Sequence, residues 1–214
     1  MSIAKSNTTK GLRGSNGNQT YRKLNGQTVV SQRVEDNPSD TPEQRQQRAI
    51  MGWTGKLVSF LLLAIRLGFL HRKRRLTAAN AFVKQNKGVV TATPTEDPKV
   101  FEVKTDYPNL VCAFGNLSIP NASAAYDPET ANIMVDVKEP IAGSFMMPDD
   151  LICFVLFETK HNYCLCTELG PRKEAKAYTV QVPPGWSGDD LVAYCFVANK
   201  KNKRNSPSIY LSLT

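Results

Sequence analysis

Three groups of residues in this chain have types that could do chemistry: a histidine beside alternating cysteines, two pairs of adjacent aspartates, and a long series of cations. His161, Cys164 and Cys166 suggest zinc, because Cys-x-Cys on a strand puts both sulfurs on one face. Yet no second Cys-x-x-Cys follows, and the only other histidine is His71. These thiols are therefore expected in the core, with no metal and no cofactor. The five cysteines, Cys112, Cys153, Cys164, Cys166 and Cys195, all fall in the second half, mostly inside apolar alternations. An odd count in that setting predicts reduced, buried thiols and a cytoplasmic compartment. Asp149-Asp150 and Asp189-Asp190 each precede a predicted strand. Neighbours on an extended chain point to opposite faces, so neither pair converges on a shared proton or a metal. Neither histidine sits in a nucleophile motif, and no glycine-rich phosphate loop is present, so the chain is expected to be non-enzymatic.

The cations are the informative group. Residues 1–98 hold 16 Lys and Arg against 6 Asp and Glu, whereas residues 99–214 hold 11 against 13. Opposite electrostatics in two halves imply two modules, one of which meets an anionic surface. The candidate contacts are Arg13, Arg22, Lys23, Arg33, Arg45, Arg48, Lys56, Arg66, Arg72, Lys73, Arg74, Arg75, Lys84 and Lys87. Phosphate neutralisation by such a set gives affinity without sequence reading and a steep salt dependence. An acidic protein surface, or plain solvation of a helical face, are the other readings. Tyr21 is the only aromatic in the basic arm, which supports a stacking platform for single strands poorly.

The elements that must position these residues follow from periodicity and punctuation. Residues 1–40 read as a basic arm: a polar opening to residue 19, expected to be disordered in solution, then a hairpin. Asn25-Gly26 between β-prone runs is the hairpin signal, and its register sets Tyr21 opposite Val30 and Arg22 opposite Val29. A lone hairpin is marginal in water and needs support. Residues 41–90 read as a helical platform. Thr41, Pro42 and Gln44 make an N-terminal cap, and Ile50, Trp53, Leu57, Phe60, Ala64 and Leu67 share one face of a helix over 42–70. Arg45, Arg48, Lys56 and Arg66 form a basic stripe on that helix, while Gly52, Gly55 and Gly68 predict close packing or a bend. A second helix, capped by Thr77, runs to about Asn86. The apolar stretch from Leu57 to Leu70 contains Arg66 and is too short for a bilayer, so no membrane contact is expected, and the opening residues lack the apolar core of a secretory signal.

Residues 91–98 read as a linker, and from 99 to 214 the pattern changes to period two. Strands are predicted near 100–104, 110–114, 132–137, 151–158, 163–168, 175–182, 191–198 and 208–213. The fold class is therefore α+β: an N-terminal arm with a β-hairpin and a helical hairpin, followed by an antiparallel β-sandwich of immunoglobulin or fibronectin type. Asn199 to Asn205 forms a basic hairpin tip. Trp186 reads as a loop anchor or a ligand contact.

Glycines 11 and 14, Tyr21-Arg22, Asn25-Gly26, Gln47-Arg48, Gly68-Phe69, Thr77 to Phe82 and Asn86 form a pattern through the N-terminal part. Val182-Pro-Pro-Gly-Trp-Ser-Gly188 and Ser206-Pro-Ser-Ile-Tyr-Leu211 continue it. This pattern resembles an uncharacterised family of Bacteroidota and their phages and mobile elements, a domain of unknown function. The resemblance implies a host or phage context and supplies no activity. The expected function is that of a non-enzymatic structural or assembly protein, a component of a phage particle or mobile element. Its basic arm would engage neighbouring copies, other subunits or nucleic acid, in the cytoplasm or in a virion assembled there. A sequence-nonspecific DNA- or RNA-binding protein is the alternative, and a carbohydrate-binding sandwich the minor one.

Overall fold

Asn25 and Gly26 take φ angles of 51° and 80°, the left-handed pair that a type I′ turn requires. A computed structural model describes residues 2–4, 12–34, 40–73, 75–97, 99–140, 146–147, 149–173 and 175–213. The chain divides into two units, Met1–Thr41 and Pro42–Thr214. In the first, β1 (Ser2–Ala4), β2 (Gly14–Asn16), β3 (Gln19–Leu24) and β4 (Gln27–Gln32) form an antiparallel sheet in the order β1-β4-β3-β2. Tyr21 pairs with Val30 and Arg22 with Val29, the register expected from the turn.

The expectation of disorder fails for residues 2–4 and 14–16, because both strands add to the hairpin. Gly17, at φ 57°, turns the chain so that Asn16 pairs with Gln19. Backbone ladder bonds supply here what the polar side chains cannot. Gly17-Asn18, between the paired Asn16 and Gln19, is itself a two-residue hairpin signal. Among the described side chains of this unit, only Thr28 and Val29 are buried.

The second unit begins with α1 (Pro42–Phe60), α2 (Leu62–Gly68) and α3 (Ala78–Gln85). The single helix expected over 42–70 instead breaks at Leu61, and the two axes lie 81° apart. The bend lets α1 and α2 both reach one core: Leu57, Leu61, Ala64 and Ile65 are all fully buried in it. Gly52 and Gly55 do not cause the bend, since a Cβ at either would stand in open space. Among the described residues no single helix is long and apolar enough to cross a membrane; α1 and α2 combine that length and apolarity only together, across the bend. Thr77 caps α3 as expected, its hydroxyl accepting from the Asn80 N–H at 3.1 Å.

Residues 91–98 are not a linker. β5 (Val90–Pro94) and β6 (Phe101–Thr105) pair as a hairpin across most of that stretch. Gln46 Nε2 of α1 donates to the Ala92 carbonyl at 2.6 Å, and Trp53 Nε1 to Thr105 Oγ1 at 2.8 Å. These contacts hold the hairpin to the helix, so two prolines and two acids in a short stretch do not mark a boundary.

The remaining strands form two antiparallel sheets, which with the helices make an α+β fold. β7 (Ala122–Asp127), β8 (Asn132–Val137) and β11 (Lys176–Gln181) run in the order β11-β8-β7. β9 (Leu151–Glu158), β10 (Tyr163–Pro171), β12 (Leu191–Asn199) and β13 (Arg204–Asn205) run β10-β9-β12-β13, and β14 (Ile209–Leu211) also pairs with β12. Ile152, Phe154 and Leu156 of β9, with Ala193 and Cys195 of β12, face the smaller sheet and share a core with Ile133 and Val135. Cys153, Val155 and Phe157, with Tyr194 and Phe196, face the helices instead. β9 and β12 are thus buried on both sides, and the helices expected as a separate platform form the third layer of the same unit.

Residues 110–114 were expected as a strand from their apolar alternation, but they are irregular. Their backbone is satisfied by side chains rather than a ladder. Val111 N–H donates to Asn86 Oδ1 at 2.7 Å, Asn86 Nδ2 returns a bond to the Val111 carbonyl at 2.9 Å, and Cys112 N–H donates to Ser208 Oγ at 2.9 Å. β7, by contrast, has weak β-formers and was not expected.

Two glycines let this segment and the β13 strand close on α2. A Cβ at Gly68 would lie 2.2 Å from the Cys112 carbonyl oxygen, and one at Gly115 would lie 2.1 Å from that of Asn205. Both obstacles are backbone. Gly115→Ala should therefore destabilise the protein by about 2–3 kcal/mol, a fall in Tm of roughly 4–12 °C. Gly52→Ala, with open space and a helical backbone, should stabilise by up to about 1 kcal/mol. Thermal unfolding of the two variants checks both signs.

Candidate anion-binding surface

The end of α2 is fastened to the far end of the chain by one buried side chain. Asn205 Nδ2 donates to the Leu67 carbonyl at 2.6 Å, and its Oδ1 accepts from the Leu70 N–H at 2.8 Å. The amide thereby satisfies two backbone groups that the helix end would leave open. Its consequence is electrostatic. The basic run that leaves α2 and the basic tip between β12 and β13 come to line one cleft of about 480 Å³.

That cleft presents Arg72, Lys73, Arg75, Lys200 and Lys203 around Leu70 and Leu76, with no acid among its lining residues. Arg72 also shapes the wall: Nη1 donates to the Phe69 carbonyl at 2.8 Å and Nε to that of Leu76 at 3.0 Å. The loop closes with Leu76 N–H on the Lys73 carbonyl at 3.0 Å. Arg75 and Lys203 hold left-handed φ angles of 73° and 51°, so both basic segments turn sharply at the cleft. Lys200 pairs with Glu168, which raises its pKa and keeps it cationic. Among the described residues Lys73 and Lys203 have no ion-pair partner. Like charges in a concave surface raise each other's potential, and an anion relieves it.

The predicted cations divide accordingly. Arg72, Lys73 and Arg75 are in the cleft, and Arg74 lies outside the described residues. Lys84 lines a neighbouring apolar cleft, and Lys84 and Lys87 a third on the other side of α3. The expected stripe is cut short: Arg45, Arg48 and Lys56 stay together on α1, but the 81° bend carries Arg66 onto a different axis. Lys56 lies 5.7 Å from the centre of the Trp53 ring, a cation–π contact. In the arm unit Arg13, Arg22, Lys23 and Arg33 are exposed, but Arg22 and Lys23 alternate across β3 and point to opposite faces. Lys200 and Lys203 were not among the candidates. The signal was present in the basic hairpin tip, but only the fold brings that tip to the other run.

The remaining groups are structural. Asp149 and Asp150 separate as expected: Asp149 pairs with Lys201 at 3.5 Å, while buried Asp150 accepts from Asn199 Nδ2 at 2.8 Å and the Met147 N–H at 3.0 Å. His161 Nδ1 stands 3.2 Å from the buried Glu158 carboxylate, which also accepts the His161 N–H at 2.6 Å and so caps the turn after β9. Tyr163 stacks between His161 and Trp186. Cys112, Cys153, Cys164 and Cys166 belong to the core beneath the helices, and Cys195 to the other. Burial pushes Cys164 up to about 12 and Cys166 up to about 11. Among the described residues no group of three or more His, Cys, Asp or Glu is arranged to hold a metal ion.

These features define an α+β protein with a cationic cleft. The chain belongs to a family of unknown function, DUF6266, whose model matches residues 12–212. No curated protein matches it. A solved domain of the outer membrane lipoprotein Omp28 from Porphyromonas gingivalis is similar at 21% identity, over 47% of this chain and 92% of that one. Its TM-score of 0.36 is too low to carry a statement about fold or function.

The thiols give a direct check on this packing. At pH 8 the raised pKa values leave almost no thiolate, so a thiolate-selective reagent should label the native protein at least about a hundredfold more slowly than the denatured one. Labelling should accelerate only as pH approaches the values above. Fast native labelling at pH 8 would mean that the helices do not cover the sheet.

Proposed function

We propose that this protein is a non-enzymatic assembly protein that binds the phosphates of nucleic acid through the cleft between the 72–75 and 200–203 segments. One observation carries the reading: five cations converge from two distant parts of the chain with no acid on the lining. Glu168 meets the charge of Lys200, but among the described residues Lys73 and Lys203 have no such acid beside them, and a polyanion would offset their repulsion as it releases counterions. An acidic protein surface is the weaker reading, since these side chains form a concavity suited to a narrow backbone.

The arm supplies the assembly part of the proposal. Its sheet buries only two described side chains, too few for independent stability, and its outer strands are three residues long. Strand addition from a neighbouring copy or subunit would extend the sheet at its β1 or β2 edge and cover that edge. The two facing sheets of the second unit are proposed to be of immunoglobulin-like type, presenting loops for protein contact. A phage particle or mobile element of Bacteroidota, assembled in the cytoplasm, is the proposed setting, and it rests on the sequence resemblance.

The cleft is tested with Lys73→Gln, Lys200→Gln and Lys203→Gln combined. Binding to a DNA or RNA fragment should weaken, and the slope of log affinity against log salt should flatten by about 2–3. The set Arg13→Gln, Arg22→Gln, Lys23→Gln and Arg33→Gln should change the slope less. No retention of the native protein on DNA or heparin at low salt overturns the proposal. In the free monomer, trypsin should cut at Arg22, Lys23 or Arg33 before any site in 42–214, and assembly should protect those bonds. Full protection in the monomer contradicts the arm's role.

A further inference from the structure

Beside the cationic cleft lies a second one of about 350 Å³, and the two share Arg72, Lys73 and Leu76 as a common wall. Its volume falls at the lower end of the range of ligand pockets, roughly 300–1,000 Å³. Its apolar side chains are Phe69, Leu76, Ala81 and Phe114. We propose that it takes a nucleobase, stacked on Phe114, and that the nucleic acid bound in the neighbouring cleft is therefore single-stranded. This rests on the proposed phosphate binding and adds to it the strandedness of the ligand.

Phe114 is the residue that makes the case. Phe114 is 47% exposed, although the residues before it, Cys112 and Ala113, are fully buried. It is also held firmly. Phe114 N–H donates to the Gly68 carbonyl at 3.0 Å, and Ser208 N–H to the Ala113 carbonyl at 3.0 Å. On its other side Leu117 N–H donates to the Asn205 carbonyl at 2.8 Å. An aromatic ring that is exposed and fixed by its backbone loses little entropy on stacking, and this is the arrangement used on single strands.

The shared wall supplies the second half of the geometry. A ligand with its apolar, planar part in this cleft meets Arg72, Lys73 and Lys84 at once, and Arg75, Lys200 and Lys203 on the far side of the shared wall. A single carboxylate on an aliphatic chain would need no such series. A repeating phosphate backbone with pendant bases matches both clefts together. In a duplex the bases are stacked inside and cannot enter.

The test uses the full chain and fluorescence anisotropy with labelled oligothymidylate of about ten nucleotides, compared with a duplex of equal length. Single strands should bind at least about tenfold more tightly, and Phe114→Ala should weaken that binding about tenfold with an unchanged salt slope. Phe114→Leu should lose as much, because it keeps bulk without a ring, while Phe114→Trp should retain affinity. Equal affinities for single strand and duplex, or no loss in Phe114→Ala, overturn this inference. If salt-dependent binding lost on Lys73→Gln and Lys203→Gln persists in that case, the phosphate reading survives alone. Displacement of the oligonucleotide by micromolar decanoate would assign the cleft to an amphiphile and overturn it as well.

Discussion

The burial of β9 and β12 on both faces is the constraint from which the rest of the second unit follows. Residues 152–157 are apolar without interruption, and so are most of 191–198. A sheet with one face in water has no use for such runs, so they demand cover on two sides. The smaller sheet covers one side and the helices cover the other. Each large buried ring, such as Phe154 or Phe157, contributes about 1.5–3 kcal/mol. On the helical side α2 packs against β10 and β12, while α1 packs against the β5–β6 hairpin. The bend at Leu61 joins the two packings, and it decides where every cation after it lies.

Close backbone approach then turns a packing requirement into a surface. Gly68 lets α2 meet the 112–113 segment, Gly115 lets that segment meet β13, and Asn205 closes the triangle by bonding both sides of the α2 terminus. Buried asparagines replace ladder bonds at two places: the Asn205 amide gives and accepts one backbone bond, and the Asn86 amide gives two and accepts one. Such satisfied amides rigidify the region they join. The cleft is thus a by-product of a rigid junction, with its cations carried on two segments that cannot drift apart. Gly68 and Asn86 both serve that junction.

Much of this was legible in the sequence, for local reasons. The Asn25-Gly26 turn, its register, the Thr77 cap, and the strands at 132–137 and 151–158 depend on neighbours along the chain, and they stand where periodicity sets them. The errors lie where distant residues decide. The 110–114 alternation looks like a strand because its apolar residues are buried, yet its hydrogen bonds go to Asn86, Ser208 and Gly68. The stretch 91–98 looks like a linker, but α1 pins it as a hairpin. The double burial of β9 was itself readable, since an unbroken apolar run contradicts a sandwich strand with a wet face. For the candidate site, half of the cleft could be read in the 71–75 run. Lys200, Lys203 and Phe114 could not, because nothing local links them to it.

If these two distant basic segments act as one surface toward nucleic acid, bound oligonucleotide must shield both at once. Lysine acetylation mapped by mass spectrometry, with and without oligonucleotide, reads this. Protection should concentrate on Lys73, Lys84, Lys200 and Lys203, with Lys23 and Lys56 modified as before. Protection centred on Lys23 with Lys200 and Lys203 unaffected, or spread evenly over all lysines, would contradict a single surface.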